Sequence, residues 1–137
     1  RMTDRTSEIY RARFREIADL LATYYQKKDA SDRIRLSIYT DIENTMTALG
    51  SRESLDEIRQ SLNLYNDNII TRFMTDFPSL KKIDIDIFTF LVAGFKPAVI
   101  ATICRLDINN LYSRRRRLKE KITRSDAKSK SEYLRYL

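Results

Sequence analysis

An all-α fold is what this sequence predicts, and three observations carry the prediction. Gly and Pro number only two each in 137 residues, too few for the tight turns a strand-rich chain needs. Apolar side chains recur at spacings of three and four through most of the chain, which is the helical period. Hydrophobic residues make up 42% and charged residues 33%, enough for a buried core beneath an ionic surface. The expected architecture is an N-terminal long-helix hairpin or arm over residues 1–78, a three-helix helix-turn-helix domain over 79–124, and a C-terminal tail over 125–137.

The first helix is expected over Thr6–Lys28. Tyr10, Phe14, Ile17, Leu21 and Tyr24 alternate spacings of four and three, a heptad seam that Ile9, Leu20 and Tyr25 widen. Such a face either packs on a neighbouring helix or joins two copies of the chain, and the sequence leaves both open. A second helix is expected over Ser31–Leu49, with Ile34, Ile38, Ile42 and Leu49 along one side. Gly50 follows it, where a positive φ suits glycine. Ser54-Leu55-Asp56-Glu57 then reads as a capping box opening a third helix.

That third helix is expected from Leu55 to Phe77, on the stripe Leu55, Ile58, Leu62, Tyr65, Ile69, Phe73 and Phe77. Asn63, Asn66, Asp67 and Asn68 are poor helix formers and predict a kink. Pro78 closes the region. Ile83, Ile87, Phe90 and Leu91 give one buried face to a short helix ending at Gly94, with Asp84 and Asp86 expected on its solvent side. Pro97 suits the first turn of the next helix, since the N–H it lacks would be free there anyway. That helix is expected to bury Ile100, Ile103 and Cys104. Asp107 can cap the last helix, whose inner face is Leu111, Leu118 and Ile122. Asn109, Asn110, Ser113, Arg114, Arg116 and Arg117 are left facing out, with Tyr112 and Arg115 at the edges. The tail is either loose or docked as a short helix through Leu134 and Leu137.

Charge is distributed unevenly. Residues 1–80 hold twelve Lys and Arg against thirteen Asp and Glu, whereas residues 81–137 hold fourteen against six. The net charge of +7 therefore sits in the C-terminal part, and an acidic partner, nucleic acid ahead of a membrane surface, is implied for that part alone. There is no His and a single Cys, so the commonest general base and any thiolate cluster are missing. No glycine-rich phosphate loop is present and the acids are not paired on one face. The expectation is no catalysis, no cofactor, no metal and no small-molecule substrate. The lone cysteine fits a reducing cytoplasm, and no apolar run is long enough to span a bilayer.

Gly94, Ile100, Ala101, Leu106, Leu111, Leu118, Lys121 and Ile122 fall in the pattern of the LuxR/GerE-type helix-turn-helix regulators. Leu111-Tyr112-Ser113-Arg114-Arg115-Arg116-Arg117-Leu118 resembles more closely the version in Bacteroidetes regulators, which join such a domain to a tetratricopeptide sensor through a transmembrane helix. The resemblance covers residues 83–122, with Asp107 where Ser normally caps the recognition helix and Asn110 where Thr usually meets phosphate. It implies a DNA-binding output domain, binding double-stranded DNA as a homodimer at two half-sites, with an upstream sensor on the same full-length chain. It also implies a cytoplasmic location, as a free regulator or as the cytoplasmic part of a membrane-anchored one. The expected DNA-binding residues are Asn109, Asn110, Tyr112, Ser113, Arg114, Arg116, Arg117 and Lys121. The alternative is a helical protein-interaction and dimerisation module of a signalling protein that does not itself bind DNA. A role for the basic helix on a membrane surface is weaker still, because it lacks a wide aromatic-rich apolar face.

Overall fold

A handful of capping side chains decides where this chain starts and stops its helices. The computed structural model describes Thr40, Asn44 and residues 47–137, and the helix expected over 6–28, with its heptad seam, lies outside them. The helix expected over 31–49 is described only at Thr40, Asn44 and 47–49, all of them helical. Six helices then follow: α1 (Arg52–Tyr65), α2 (Ile69–Asp76), α3 (Lys82–Val92), α4 (Pro97–Ile103), α5 (Ile108–Arg124) and α6 (Lys130–Leu134). Among the described residues the fold is all-α without a strand, and no helix is long and apolar enough to cross a membrane.

α1 begins earlier than the Ser54–Glu57 pattern predicts. The chain is already extended at Ser51 (φ −65°, ψ 154°), whose side chain accepts from the Ser54 N–H at 3.2 Å. The first free N–H groups therefore fall at 52–54, within reach of Ser51 rather than Ser54. Ser54 is instead buried, its hydroxyl without a partner among the described residues. Gly50 also differs from expectation, because Gly94 is the glycine with a positive φ. A Cβ at Gly50 would sit 3.2 Å from both Cγ2 and the carbonyl oxygen of Ile103. Close approach to α4, and not backbone handedness, is what calls for glycine there.

The Asn-rich stretch breaks the long third helix into α1 and α2. Asp67 and Asn68 are left-handed (φ 52° and 57°), a conformation in which Asp and Asn cost less than most residues. The Asn68 N–H returns to the Asn63 carbonyl at 2.8 Å. Asn63 Oδ1 then accepts from the N–H groups of Ile70 (2.8 Å) and Thr71 (3.2 Å). One asparagine thus closes α1 with its backbone and caps α2 with its side chain. Arg72 locks the same turn, donating to the carbonyls of Asp67 (2.8 Å) and Asn66 (3.3 Å).

Asp84 and Asp86 do not face solvent, contrary to the expectation from α3 alone. Asp86 is only 6% exposed, taking Arg59 of α1 on one oxygen and Lys82 at 3.0 Å on the other. Asp84 pairs with Arg114 of α5 at 3.3 Å. Cations on two neighbouring helices draw these carboxylates inward, which a single-helix argument cannot anticipate.

The core runs unbroken across the expected boundary at 78/79. Leu55, Ile58 and Leu62 of α1 share one cluster with Phe73 of α2, Phe88 and Phe90 of α3, and Leu111, Leu118 and Ile122 of α5. Each such side chain, fully buried, contributes roughly 1.5–3 kcal/mol relative to exposure. The Phe73 and Phe88 rings stack with centroids 3.7 Å apart, and Tyr133 of α6 stands edge-on to both, at 5.2 and 5.8 Å. The tail is therefore part of the core. It docks through Tyr133, which is fully buried, while Leu134 and Leu137 are only partly buried.

Candidate nucleic-acid interface

α3, α4 and α5 are joined by two turns of the same kind. At the end of α3 the Phe95 N–H reaches the Phe90 carbonyl and the Gly94 N–H the Leu91 carbonyl, both at 3.0 Å. Gly94 is left-handed at φ 90°, and the Phe90 and Phe95 rings meet at 5.4 Å. This is a Schellman ending with its hydrophobic contact. At the end of α4 the Leu106 N–H reaches the Ala101 carbonyl at 2.8 Å and the Arg105 N–H the Thr102 carbonyl at 3.2 Å. Here the left-handed residue is Arg105, at φ 56°, where glycine would fit more easily.

Asp107 then caps α5, accepting from the Asn109 N–H at 2.9 Å, as its sequence position predicts. Leu111, Leu118 and Ile122 are the buried residues of α5, again as predicted. With 17 residues, α5 is about 26 Å long. Its two ends complement the helix dipole, with Asp107 at the start and Lys121 and Arg124 in the last turn.

The structure divides the expected DNA-binding residues into two sets. Asn109, Asn110, Tyr112, Arg116, Arg117 and Lys121 are exposed, Tyr112 with half of its surface open. Ser113 is half-buried. Arg114 is drawn back into the protein, its side chain 22% exposed and paired with Asp84. Arg115, expected at an edge, turns the other way and donates twice to the Leu137 carbonyl, at 3.1 and 2.8 Å. Of the run of four arginines, two are therefore held by the fold and two, Arg116 and Arg117, remain in solvent. Chemically, the open set offers cations for phosphate oxygens and asparagines for base edges.

Tertiary packing adds residues that the sequence pattern did not single out. The connection between α2 and α3 lies along the Arg114–Arg117–Lys121 side of α5, where Lys121 Nζ donates to Ser79 Oγ at 3.1 Å. Ser79 and Lys81 from that segment and Asp84 of α3, with Arg114, Arg117 and Lys121, line a cleft of about 390 Å³. Nothing in the local sequence pairs residue 81 with residue 121; a long-range contact does.

Compared with known proteins, the chain matches no family model, and no curated protein or solved structure is significantly similar to it.

Among the described residues no group of His, Cys, Asp or Glu is placed to hold a metal ion. Cys104 is half-buried, and burial, helped by the charge of Asp86, pushes its thiol up to about 11. Such a thiol carries almost no thiolate near neutral pH and is a poor nucleophile.

Proposed function

We propose that this chain is the DNA-binding output unit of a transcriptional regulator similar to the LuxR/GerE type, with α5 as the helix that enters the major groove. The observation that carries this reading is the open face of α5. Asn109, Asn110 and Tyr112 on its first turns, and Arg116 and Arg117 one to two turns on, are exposed on a helix whose opposite face is fixed by Leu111, Leu118 and Ile122. α4 crosses the DNA backbone in this arrangement, and the turn at Arg105 sets the angle between the two helices. Arg116, Arg117 and Lys121 contact phosphates, and Asn109 and Asn110 lie nearest base edges.

Fluorescence anisotropy on random-sequence duplex DNA across a salt series tests the proposal, with Arg116→Ala/Arg117→Ala alongside. If Arg116, Arg117 and Lys121 each neutralise one phosphate, log K falls against log salt with a slope of roughly −3. The double variant is expected to bind at least about tenfold more weakly at low salt, with a slope shallower by about two. Binding that ignores salt, or that survives the double substitution unchanged, overturns the reading.

A further inference from the structure

The fold satisfies its structural arginines thoroughly. Arg72 uses every guanidinium nitrogen, reaching two backbone carbonyls, Ser129 Oγ and both oxygens of Glu132. Arg59 bonds Asp86 and Thr89 and lies beside Asp56. Against that standard, the cleft between α5 and the start of α3 is unbalanced. Lys81, Arg114, Arg117 and Lys121 all line it, and Asp84 is its one carboxylate.

The Asp84 carboxylate is already engaged by Arg114 through a single contact of 3.3 Å. Among the described residues Arg114 Nε is buried without an acceptor, so even the paired arginine is under-satisfied. Among the described residues Lys121 reaches the Ser79 hydroxyl alone. Leu80 and Leu118 supply apolar wall. Beyond the Arg114–Asp84 pair, three like charges in one concavity repel one another, and the low-dielectric walls focus their field outward. Donors exceed acceptors here by a margin that an oxyanion would fill.

We propose that this cleft is a phosphate-binding seat, gripping a phosphate group through Lys81, Arg117 and Lys121, with Ser79 and Arg114 beside it. The phosphate is either carried by a nucleic-acid backbone or free in a small phosphorylated ligand. The seat stands on the cleft itself, whereas the nucleic-acid source rests on the function proposed above.

The probe is inorganic pyrophosphate, titrated at low salt and followed by amide chemical shifts of the whole chain. Saturable, single-site shifts at 79–84 and 114–121 are expected. The affinity should fall at least about tenfold in Lys81→Ala/Lys121→Ala, since each substitution removes a charge-assisted bond to the phosphate. A charge-matched control, Lys96→Ala/Lys128→Ala, should leave it unchanged. Shifts scattered over all basic residues, or equal losses in both variants, overturn the seat. Lys81→Ala alone, at an exposed position, keeps the test open should the double variant unfold.

Duplex DNA then separates the sources. Competition between pyrophosphate and DNA, with DNA affinity also lowered in Lys81→Ala/Lys121→Ala, identifies the phosphate as nucleic-acid backbone. Pyrophosphate binding in a chain that retains no DNA at low salt leaves the seat standing for a free ligand, while the DNA reading falls.

Discussion

The Tyr133 hydroxyl donates to Asp76 Oδ2 at 2.6 Å, and that bond joins the last helix to the end of α2, across 57 positions of sequence. Beneath it the ring fills the space over the stacked Phe73 and Phe88. Tyr133→Phe keeps the packing and loses only the bond, at a cost of about 1 kcal/mol. Tyr133→Ala removes the ring and is expected to cost about 3–5 kcal/mol. Urea denaturation of the two variants checks the difference; equal, small effects would mean that the tail does not hold the core together.

Arg72 and Glu132 make a second tie between the same two helices, at 2.8 and 3.2 Å. The hydrogen bond from Arg72 is the main cause holding the Glu132 carboxyl below its usual range, and Glu132 in turn raises Arg72. A carboxyl with a folded pKa below its unfolded value, about 4.3, stabilises fully above that value. The contribution is lost as pH falls through the folded pKa. Wild type should therefore be more stable than Glu132→Gln at neutral pH, with the gap closing on acidification below about pH 4. Thermal melts of both proteins across pH measure it, and a gap independent of pH argues against the ion pair as its source.

Arg105 occupies a left-handed position, φ 56°, in the turn that orients α5. Arg105→Gly removes the Cβ penalty and is expected to raise stability by about 1 kcal/mol. Its side chain gives up only a 3.3 Å contact with Thr47 at an exposed site. Gly94→Ala should do the opposite, through its φ of 90°, although no atom lies within 4 Å of the added methyl. Differential scanning calorimetry should place the two melting temperatures on opposite sides of wild type.

Arg114 and Arg116 lie two positions apart in one arginine run but should respond differently to alanine. Arg114→Ala strips Asp84 of its cation where that carboxylate is only 18% exposed, so stability falls. Arg116→Ala removes an exposed charge and should leave the melt within about 0.5 kcal/mol of wild type. Circular dichroism melts beside the DNA titration check this, and a loss of DNA binding confined to Arg114→Ala would count against the open face as the contact surface.

The residues that could be read in advance are those governed by near neighbours. Asp107 caps α5 because its own side chain reaches an N–H two positions on. The break at Asn66–Asn68 was legible because three poor helix formers stand together. Expectations failed for two reasons, one local and one long-range. The spacing from Ser54 to Glu57 allows a cap at Ser54, whereas the extended backbone at Ser51 sets the cap three residues earlier. Asp86 looked solvent-facing on its own helix, yet Arg59, 27 positions earlier, meets it.

The sequence by itself determined the helical class, the inner stripe of α5 and the concentration of positive charge after residue 80, because these depend on composition and on a period of about 3.6 residues. Only the tertiary structure decided which arginines remain available. It withdrew Arg114 to Asp84 and Arg115 to Leu137, left Arg116 and Arg117 in solvent, and set Lys81 across a cleft from Lys121. Charge pairing between elements depends on packing distances, and no local spacing encodes those.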